Sequence, residues 1–170
     1  RIAEKMKLDP ADCRVIEQAA LLHDIGKIGV PDHILLKPGP LTEPEWEVMR
    51  RHAEIGHKIL SAVPSLAEVA TVVLAHHEHY DGSGYPRGLQ NIQIPQGARV
   101  FAVADAYDAI TSSRPYREAA SVEEALRIIK SERGKYFDPL VVDAFLDMSH
   151  AQLASLRARV THSTAGLMEP

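Results

Sequence analysis

The 170-residue sequence predicts an all-α domain. Aromatic residues make up only 5% of the chain, so aliphatic side chains and alanine must fill its core, which favours packed helices over a β-sandwich. Apolar residues recur at helical spacing in several segments. Helix start signals precede four of these segments, namely Asp9-Pro10, Thr42 with Glu45, Ser121 with Glu124, and Asp138-Pro139.

These signals place helices in order along the chain. We expect them over residues 10–26, 42–61, 64–76, 97–111, 121–134, a stretch after Asp138-Pro139, and 149–160. Residues 29–40 and 81–96 are rich in glycine and proline and should form loops. Both loops are long for simple connections, and such loops tend to carry function.

Composition and charge narrow the function. The chain has 23 acidic against 19 basic residues, and its formal charge of −4 argues against binding a long nucleic-acid backbone. A small anionic substrate remains compatible with a locally positive site. The single cysteine, Cys13, excludes an intramolecular disulfide, and no apolar run is long enough to span a bilayer. We therefore expect a cytoplasmic protein.

Histidines and acids interrupt the apolar helices at four places. His23-Asp24, followed by Lys27, offers an imidazole, a carboxylate that can bridge two metal ions, and a cation for a phosphate oxygen. A buried His-Asp hydrogen bond with Lys27 at a helix end explains this segment equally well. His76 and His77, with Glu78 next, lie where a helix meets a glycine-rich loop, which suits a metal site.

The other two places are more ambiguous by themselves. His52 and His57 are five residues apart and do not share a helix face well, so their sequence alone does not choose between them. Asp105 and Asp108 lie three apart in an alanine-rich helix, where carboxylates are costly unless they are paired or bound to metal. An ion pair with a nearby arginine is the alternative for Asp108. Together, four helices contribute ligand-type residues, which predicts a metal site inside a helical bundle.

Three segments also resemble a known family. His23-Asp24-Ile25-Gly26-Lys27 is similar to the signature of the HD superfamily of metal-dependent phosphohydrolases. Residues 76–86, HHEHYDGSGYP, resemble the HHExxDGxGYP motif of its HD-GYP subfamily, and residues 105–117 resemble the third block of that subfamily. The resemblance runs from about residue 1 to residue 146 and implies an HD-superfamily helical bundle. It also implies hydrolysis of cyclic di-GMP to linear pGpG or GMP.

The resemblance implies a role for each matching residue. Two divalent metal ions, iron or manganese by preference, would activate a water for attack on phosphorus. Asp24 would bridge the ions, and Lys27 would contact the substrate phosphate and donate a proton, which makes both residues catalytic. His52 occupies the intermediate histidine position of the family, in preference to His57. The implied metal ligands are His23, Asp24, His52, His76, His77 and Asp105, and the implied phosphate contacts are Lys27, Arg114 and Arg117.

The resemblance also implies partners. The loop containing Asp81, Gly82, Gly84, Tyr85 and Pro86 would shape the mouth of the site and contact diguanylate cyclase (GGDEF) domains. Relatives carry an upstream regulatory domain, and we expect one here, together with a homodimer and no membrane contact in this segment. A further ligand histidine of the family, and a glutamate that permits a third metal, would precede Arg1. Residues 1–6 read like the middle of a helix, so we expect an absent upstream segment rather than lost ligands.

These expectations divide the chain into an HD-GYP domain over residues 1–148 and a C-terminal helix and tail over residues 149–170. Two alternatives stay open. The domain could bind a cyclic dinucleotide or dock a partner without turnover, or it could hydrolyse a different cyclic dinucleotide.

Overall fold

The computed structural model describes residues 1–113, 118–149 and 152–153. Within these ranges the chain forms helices and no β-sheet, which confirms the predicted fold class. Short 3₁₀ turns occur at Ile25–Gly29, Pro64–Leu66 and Asn91–Gln93. The α-helices are α1 (Ile2–Lys5), α2 (Pro10–Leu22), α3 (Asp32–Leu35), α4 (Glu43–Arg50), α5 (His52–Ser61), α6 (Ala67–Ala75), α7 (Gln96–Thr111), α8 (Val122–Ser131) and α9 (Pro139–Leu146).

Local hydrogen bonds form the predicted caps at the starts of α8 and α9, whereas Asp9 makes no side-chain cap hydrogen bond at the start of α2. Ser121 Oγ accepts the backbone N–H of Glu124 at 3.2 Å at the start of α8. The carboxylate of Asp138 accepts the N–H of Leu140 at 2.8 Å at the start of α9. Such caps satisfy backbone donors that have no partner inside the helix, so these helix starts are readable from nearby residues alone.

Two predicted helices end or divide differently in the structure. The helix predicted over residues 42–61 is two helices, α4 and α5, separated at Arg51. The helix predicted over residues 10–26 ends at Leu22, so its last four residues were wrongly assigned. The reason is a close crossing of backbones. A Cβ on Gly26 would lie 1.9 Å from the carbonyl oxygen of His52, so only glycine lets the 3₁₀ turn pass so near α5.

Helix α7 is the element around which the domain packs. On one side it meets α1, α8 and α9, and on the other side α2 and α6, with α5 against α6. Each side has its own apolar core. The first core is centred on Val103, Ile129, Val141, Val142 and Phe145, and the second on Ala19, Val69, Ala70, Val73 and Ala98.

Two further expectations concern membrane-spanning helices and the predicted C-terminal helix. In the described ranges, no helix has the length and apolar character needed to cross a membrane. Most of the helix predicted over residues 149–160 lies outside the described residues. Residues 152–153, which are described, are helical.

Candidate metal centre

Four histidines from three parts of the chain meet beside α7. His23 follows α2, His52 begins α5, and His76 and His77 follow α6. One ligand atom from each of His52, His76 and His77 lies within 4.8 Å of the others. The ring of His23 is 5.5 Å from that of His76, measured between centroids. Residues separated by more than fifty positions in the sequence therefore form one cluster, which we call the histidine cluster.

Hydrogen bonds to the backbone orient three of these imidazoles in the same way. In His23, His52 and His76, Nδ1 lies within hydrogen-bonding distance of the carbonyl oxygen three residues earlier. A carbonyl only accepts, so Nδ1 carries the proton and Nε2 of the neutral ring keeps its lone pair. The acceptors are the carbonyls of Ala20, Met49 and Val73, at 2.9, 2.7 and 2.5 Å.

The lone pairs fixed in this way point at one another. Nε2 of His52 is 3.3 Å from Nε2 of His76, and both rings are buried. Two lone pairs at that separation repel each other unless a cation lies close to both. Metal-binding histidines are commonly held in this way, with the second ring nitrogen donating to a carbonyl.

The environment also keeps these rings uncharged. Burial lowers the pKa of His76 to about 4 and that of His77 to about 2. Burial likewise lowers the pKa of His52, more than its hydrogen bond to the Met49 carbonyl and the nearby Asp24 raise it. Because a metal ligand must be the neutral imidazole, His52, His76 and His77 are in the binding form at neutral pH.

Asp24 presents its two carboxylate oxygens to different neighbours. Its Oδ2 is 3.5 Å from Nε2 of His23 and accepts a 2.6 Å hydrogen bond from Nζ of Lys27. Its Oδ1 is 3.9 Å from Nε2 of His52. Burial alone would raise the pKa of Asp24, but the hydrogen bond from Lys27 and the charges of His23 and Lys27 outweigh burial and lower that pKa. The carboxylate is therefore ionised, beside the buried and neutral ring of His52.

This donor set fits a divalent metal ion. Imidazole nitrogens and a carboxylate oxygen suit iron, manganese or zinc, and geometry and metal availability choose among them. A carboxylate whose two oxygens face different histidines is also suited to bridging two ions. The chemistry such a group of ligands supports is Lewis-acid activation of water or of a phosphoryl oxygen.

The remaining predicted ligand, Asp105, lies on α7 and is partly buried. It follows Phe101 by four residues, so the two share a helix face. The Phe101 ring contacts His23 at 5.0 Å and His76 at 5.9 Å between centroids. Asp105 thus belongs to the face of α7 that borders the histidine cluster, whereas Asp108 is exposed.

The structure shows which of His52 and His57 belongs to the cluster, a choice that their spacing in the sequence left open. His52 is 2% exposed and belongs to the cluster. His57 lies further along α5, with its Nε2 3.4 Å from the hydroxyl of Ser61 on the same helix. The predicted phosphate contacts Arg114 and Arg117 lie outside the described residues.

The glycine-rich loop folds back onto the cluster. The Tyr85 ring stacks on His77, with centroids 4.7 Å apart and planes inclined by 28°. The N–H of Tyr85 donates to the His77 carbonyl at 3.1 Å. A Cβ on Gly84 would lie 2.5 Å from that same carbonyl oxygen, so glycine permits this close approach. Asp81, Gly82 and Pro86 complete this loop, in which the Tyr85–Pro86 peptide bond is cis.

Glu78 has a role that the sequence did not reveal, although it lies within the second motif. Its side chain is buried, with 3% of its surface exposed. One carboxylate oxygen accepts the backbone N–H of Arg87 at 2.8 Å, and the other accepts the N–H of Leu89 at 2.9 Å. Glu78 therefore holds the far end of the loop that carries Tyr85. The one signal available in the sequence was an acid directly after two ligand-type histidines.

Comparison with known proteins agrees with the geometry. The model of the HD domain family matches residues 1–141. The cyclic di-GMP phosphodiesterase response regulator RpfG of Xanthomonas campestris is 47% identical over 166 residues, which cover 96% of this chain and 44% of the relative. A cyclic di-GMP phosphodiesterase of Thermotoga maritima is 51% identical over 150 residues, covering 87% of this chain and 41% of the relative. The chain thus spans less than half the length of these curated relatives.

A solved structure supports the fold. The crystal structure of a cyclic GMP-AMP specific phosphodiesterase from V. cholerae superposes with a TM-score of 0.65 at 19% sequence identity, covering 84% of this chain and 39% of that chain. At this identity the likeness concerns the fold. The family match and the relatives above confirm the resemblance drawn from the three sequence motifs, and the chain belongs to the HD domain family.

Proposed function

We propose that this domain is a metal-dependent phosphodiesterase that hydrolyses cyclic di-GMP to pGpG or GMP. The observation that carries the proposal is the position of Asp24 next to the histidine cluster, with each carboxylate oxygen near a different histidine. The relatives named as cyclic di-GMP phosphodiesterases support the choice of substrate.

The proposed metal ligands are those of the histidine cluster together with the two acids that border it. His23, His52, His76 and His77 would supply nitrogen, and Asp24 and Asp105 would supply oxygen. Two divalent ions, iron or manganese, would when bound provide Lewis-acid activation of water at neutral pH. Asp24, whose two oxygens face different histidines, would be the ligand shared by the two ions.

Lys27 is the proposed contact to the substrate phosphate. Its ammonium group lies 2.6 Å from Asp24 and is partly exposed, so it borders both the ligands and the solvent. An ammonium at this position would bind a non-bridging phosphate oxygen and stabilise negative charge that develops there. We propose that it also donates a proton to the leaving oxygen. Arg114 and Arg117 are proposed as further phosphate contacts.

The direct test is hydrolysis of cyclic di-GMP by the full-length protein loaded with Mn²⁺ or Fe²⁺, followed by chromatography of the products. We expect pGpG or GMP to form at a rate that depends on metal. Binding of cyclic di-GMP without product in a protein with a full metal complement would identify a binding module instead. Faster hydrolysis of a different cyclic dinucleotide would reassign the substrate.

The partner contacts stay predictions. They concern a diguanylate cyclase domain at the loop of residues 81–86, an upstream regulatory domain, and a homodimer. A pull-down with a GGDEF domain, comparing the wild type with Tyr85→Ala, tests the first of these.

A further inference from the structure

An aromatic and cationic strip adjoins the histidine cluster. Trp46 and Arg50 lie four residues apart on α4 and so share a helix face. The guanidinium carbon of Arg50 is 5.9 Å from the centroid of the Trp46 ring and 5.8 Å from that of the Tyr85 ring. Both distances lie within the range of cation–π attraction. We call these three side chains the arginine strip.

The strip is continuous with the cluster. Tyr85 stacks on His77, and Arg50 precedes His52 by two residues in the chain. The strip runs outward from there to Trp46, which is 42% exposed. A large aromatic ring left accessible next to a buried polar site is a natural surface for a planar ligand group. The strip therefore begins at a proposed metal ligand and ends at solvent.

The chemistry of the strip matches a guanine base. Purines stack on aromatic rings and on guanidinium planes, and every base has such a face. Guanine presents two acceptors on one edge, O6 and N7, which the arginine fork pairs with in bidentate geometry. Adenine presents an amino donor in place of O6 and cannot accept this second hydrogen bond.

Arg50 is held in a way that suits such recognition. Its NH1 donates to Oε1 of Glu43 at 3.1 Å, which anchors one side of the guanidinium. A guanidinium has five N–H donors in a rigid fork, so this one bond leaves donors for a ligand. Lysine, with its compact charge, would reproduce neither the stacking nor the fork.

We propose that the arginine strip binds a guanine base of the cyclic dinucleotide and makes this domain prefer guanine over adenine. The inference rests on the proposed function for the identity of the substrate. In a nucleotide the base is joined to the phosphate through one sugar, so a base on the strip leaves the phosphodiester next to the histidine cluster. The strip is then the specificity-determining subsite for the reaction.

A simpler explanation assigns Arg50 a structural role only, as a surface residue paired with Glu43 and packed on Trp46. The two explanations differ in what Glu43→Gln does. If Arg50 is structural, Glu43→Gln and Arg50→Met should have similar effects on every ligand. If Arg50 reads guanine, Arg50→Met should affect guanine ligands selectively, while Glu43→Gln should keep the preference.

Tryptophan fluorescence tests base binding without hydrolysis. Trp46 is the one tryptophan in this sequence. The variant Trp46→Phe measures the background change in fluorescence that does not come from Trp46. We expect GMP to quench Trp46 saturably and more tightly than AMP by about 10-fold, the discrimination typical of one bidentate arginine–guanine contact. Arg50→Met and Arg50→Lys should abolish this preference, and Glu43→Gln should retain it. Equal affinity for GMP and AMP in the wild type, or an unchanged preference in Arg50→Met, would overturn the proposal.

Kinetic measurements distinguish failure of the guanine subsite from failure of the proposed phosphodiesterase activity. If the protein hydrolyses cyclic di-GMP, Arg50→Met should lower kcat/KM about 10-fold, mainly through KM, with the metal content unchanged. An unchanged kcat/KM would remove the subsite and leave the phosphodiesterase intact. If the protein does not hydrolyse cyclic di-GMP, a selective GMP signal lost in Arg50→Met still supports the guanine subsite.

Discussion

The histidine cluster and the Arg99–Asp138 pair both bury polar groups against α7, yet they satisfy those groups differently. Arg99 lies on α7 and forms an ion pair with Asp138, whose side chain is 2% exposed. Asp138 also caps α9, and Nε of Arg99 donates to the Ile94 carbonyl at 3.0 Å. Cation and anion are both supplied by the chain, so this pair is complete within the protein.

The cluster lacks that balance. His52 and His76 direct lone pairs at each other across 3.3 Å, and burial keeps their rings neutral. Among the described contacts, Lys27 donates a hydrogen bond to Asp24 and none to the imidazoles. The comparison shows how a ligand site is distinguished from a structural ion pair, because the structural pair is self-neutralising while the ligand site concentrates donors of electron pairs. The predictions below test that distinction, beginning with the largest expected effect.

Replacing Asp24 should have the largest effect on function. Asp24→Ala removes the carboxylate that borders His23, His52 and Lys27, and we expect kcat to fall at least about 1,000-fold with loss of bound metal. Metal analysis and hydrolysis of cyclic di-GMP measure both effects. Asp143→Ala is the matched control, because Asp143 is exposed and pairs with Arg133 at the surface. An unchanged rate in Asp24→Ala would reject the mechanism.

Breaking the buried ion pair should destabilise the fold without affecting metal. Asp138→Asn can still accept the N–H of Leu140 but leaves Arg99 without its counter-charge, which should cost about 3 kcal/mol in the free energy of unfolding. Urea denaturation measures this loss. The exposed pair offers a control, since Asp143→Asn should leave the free energy of unfolding nearly unchanged. A drop in metal stoichiometry in folded Asp138→Asn would contradict the separation of the two regions.

Removing the cation of Lys27 should lower turnover and spare the metal. Because Lys27 touches Asp24 and borders solvent, we expect Lys27→Ala to reduce kcat by roughly 10–100-fold while the metal content stays at the wild-type value. Single-turnover hydrolysis with parallel elemental analysis distinguishes the two quantities. Loss of metal in this variant would instead assign Lys27 a structural role at Asp24.

Weakening the Glu78 anchor should have the smallest effect. Glu78→Gln replaces one accepting oxygen with an amide NH₂, so one of the N–H groups of Arg87 and Leu89 loses its partner. The cost should be about 1–2 kcal/mol, confined to the loop. Faster hydrogen exchange at those two amides is the measurement. Glu54→Gln, on the exposed face of α5, should leave the exchange unchanged. Equal protection in wild type and Glu78→Gln would show that other contacts hold the loop.

Much of the fold could be predicted because its signals are local. The caps at Ser121 and Asp138 depend on residues within three positions, so the starts of α8 and α9 were readable without any tertiary information. The end of α2 was not, because the 3₁₀ turn that follows it packs at Gly26 against α5, and a helix distant in the chain leaves no mark in the adjacent sequence.

The same distinction between local and tertiary information applies to the candidate site. The sequence alone determined the types of ligand residue and, by resemblance, the family, since His23-Asp24 and residues 76–86 are contiguous motifs. The resemblance also chose His52 over His57. Only the tertiary structure turned the two oxygens of Asp24 toward different histidines and brought the carboxylate of Glu78 to the backbone N–H groups of Arg87 and Leu89. The physical reason is that motifs specify chemistry residue by residue, whereas distances and lone-pair directions arise when helices distant in the chain pack against one another.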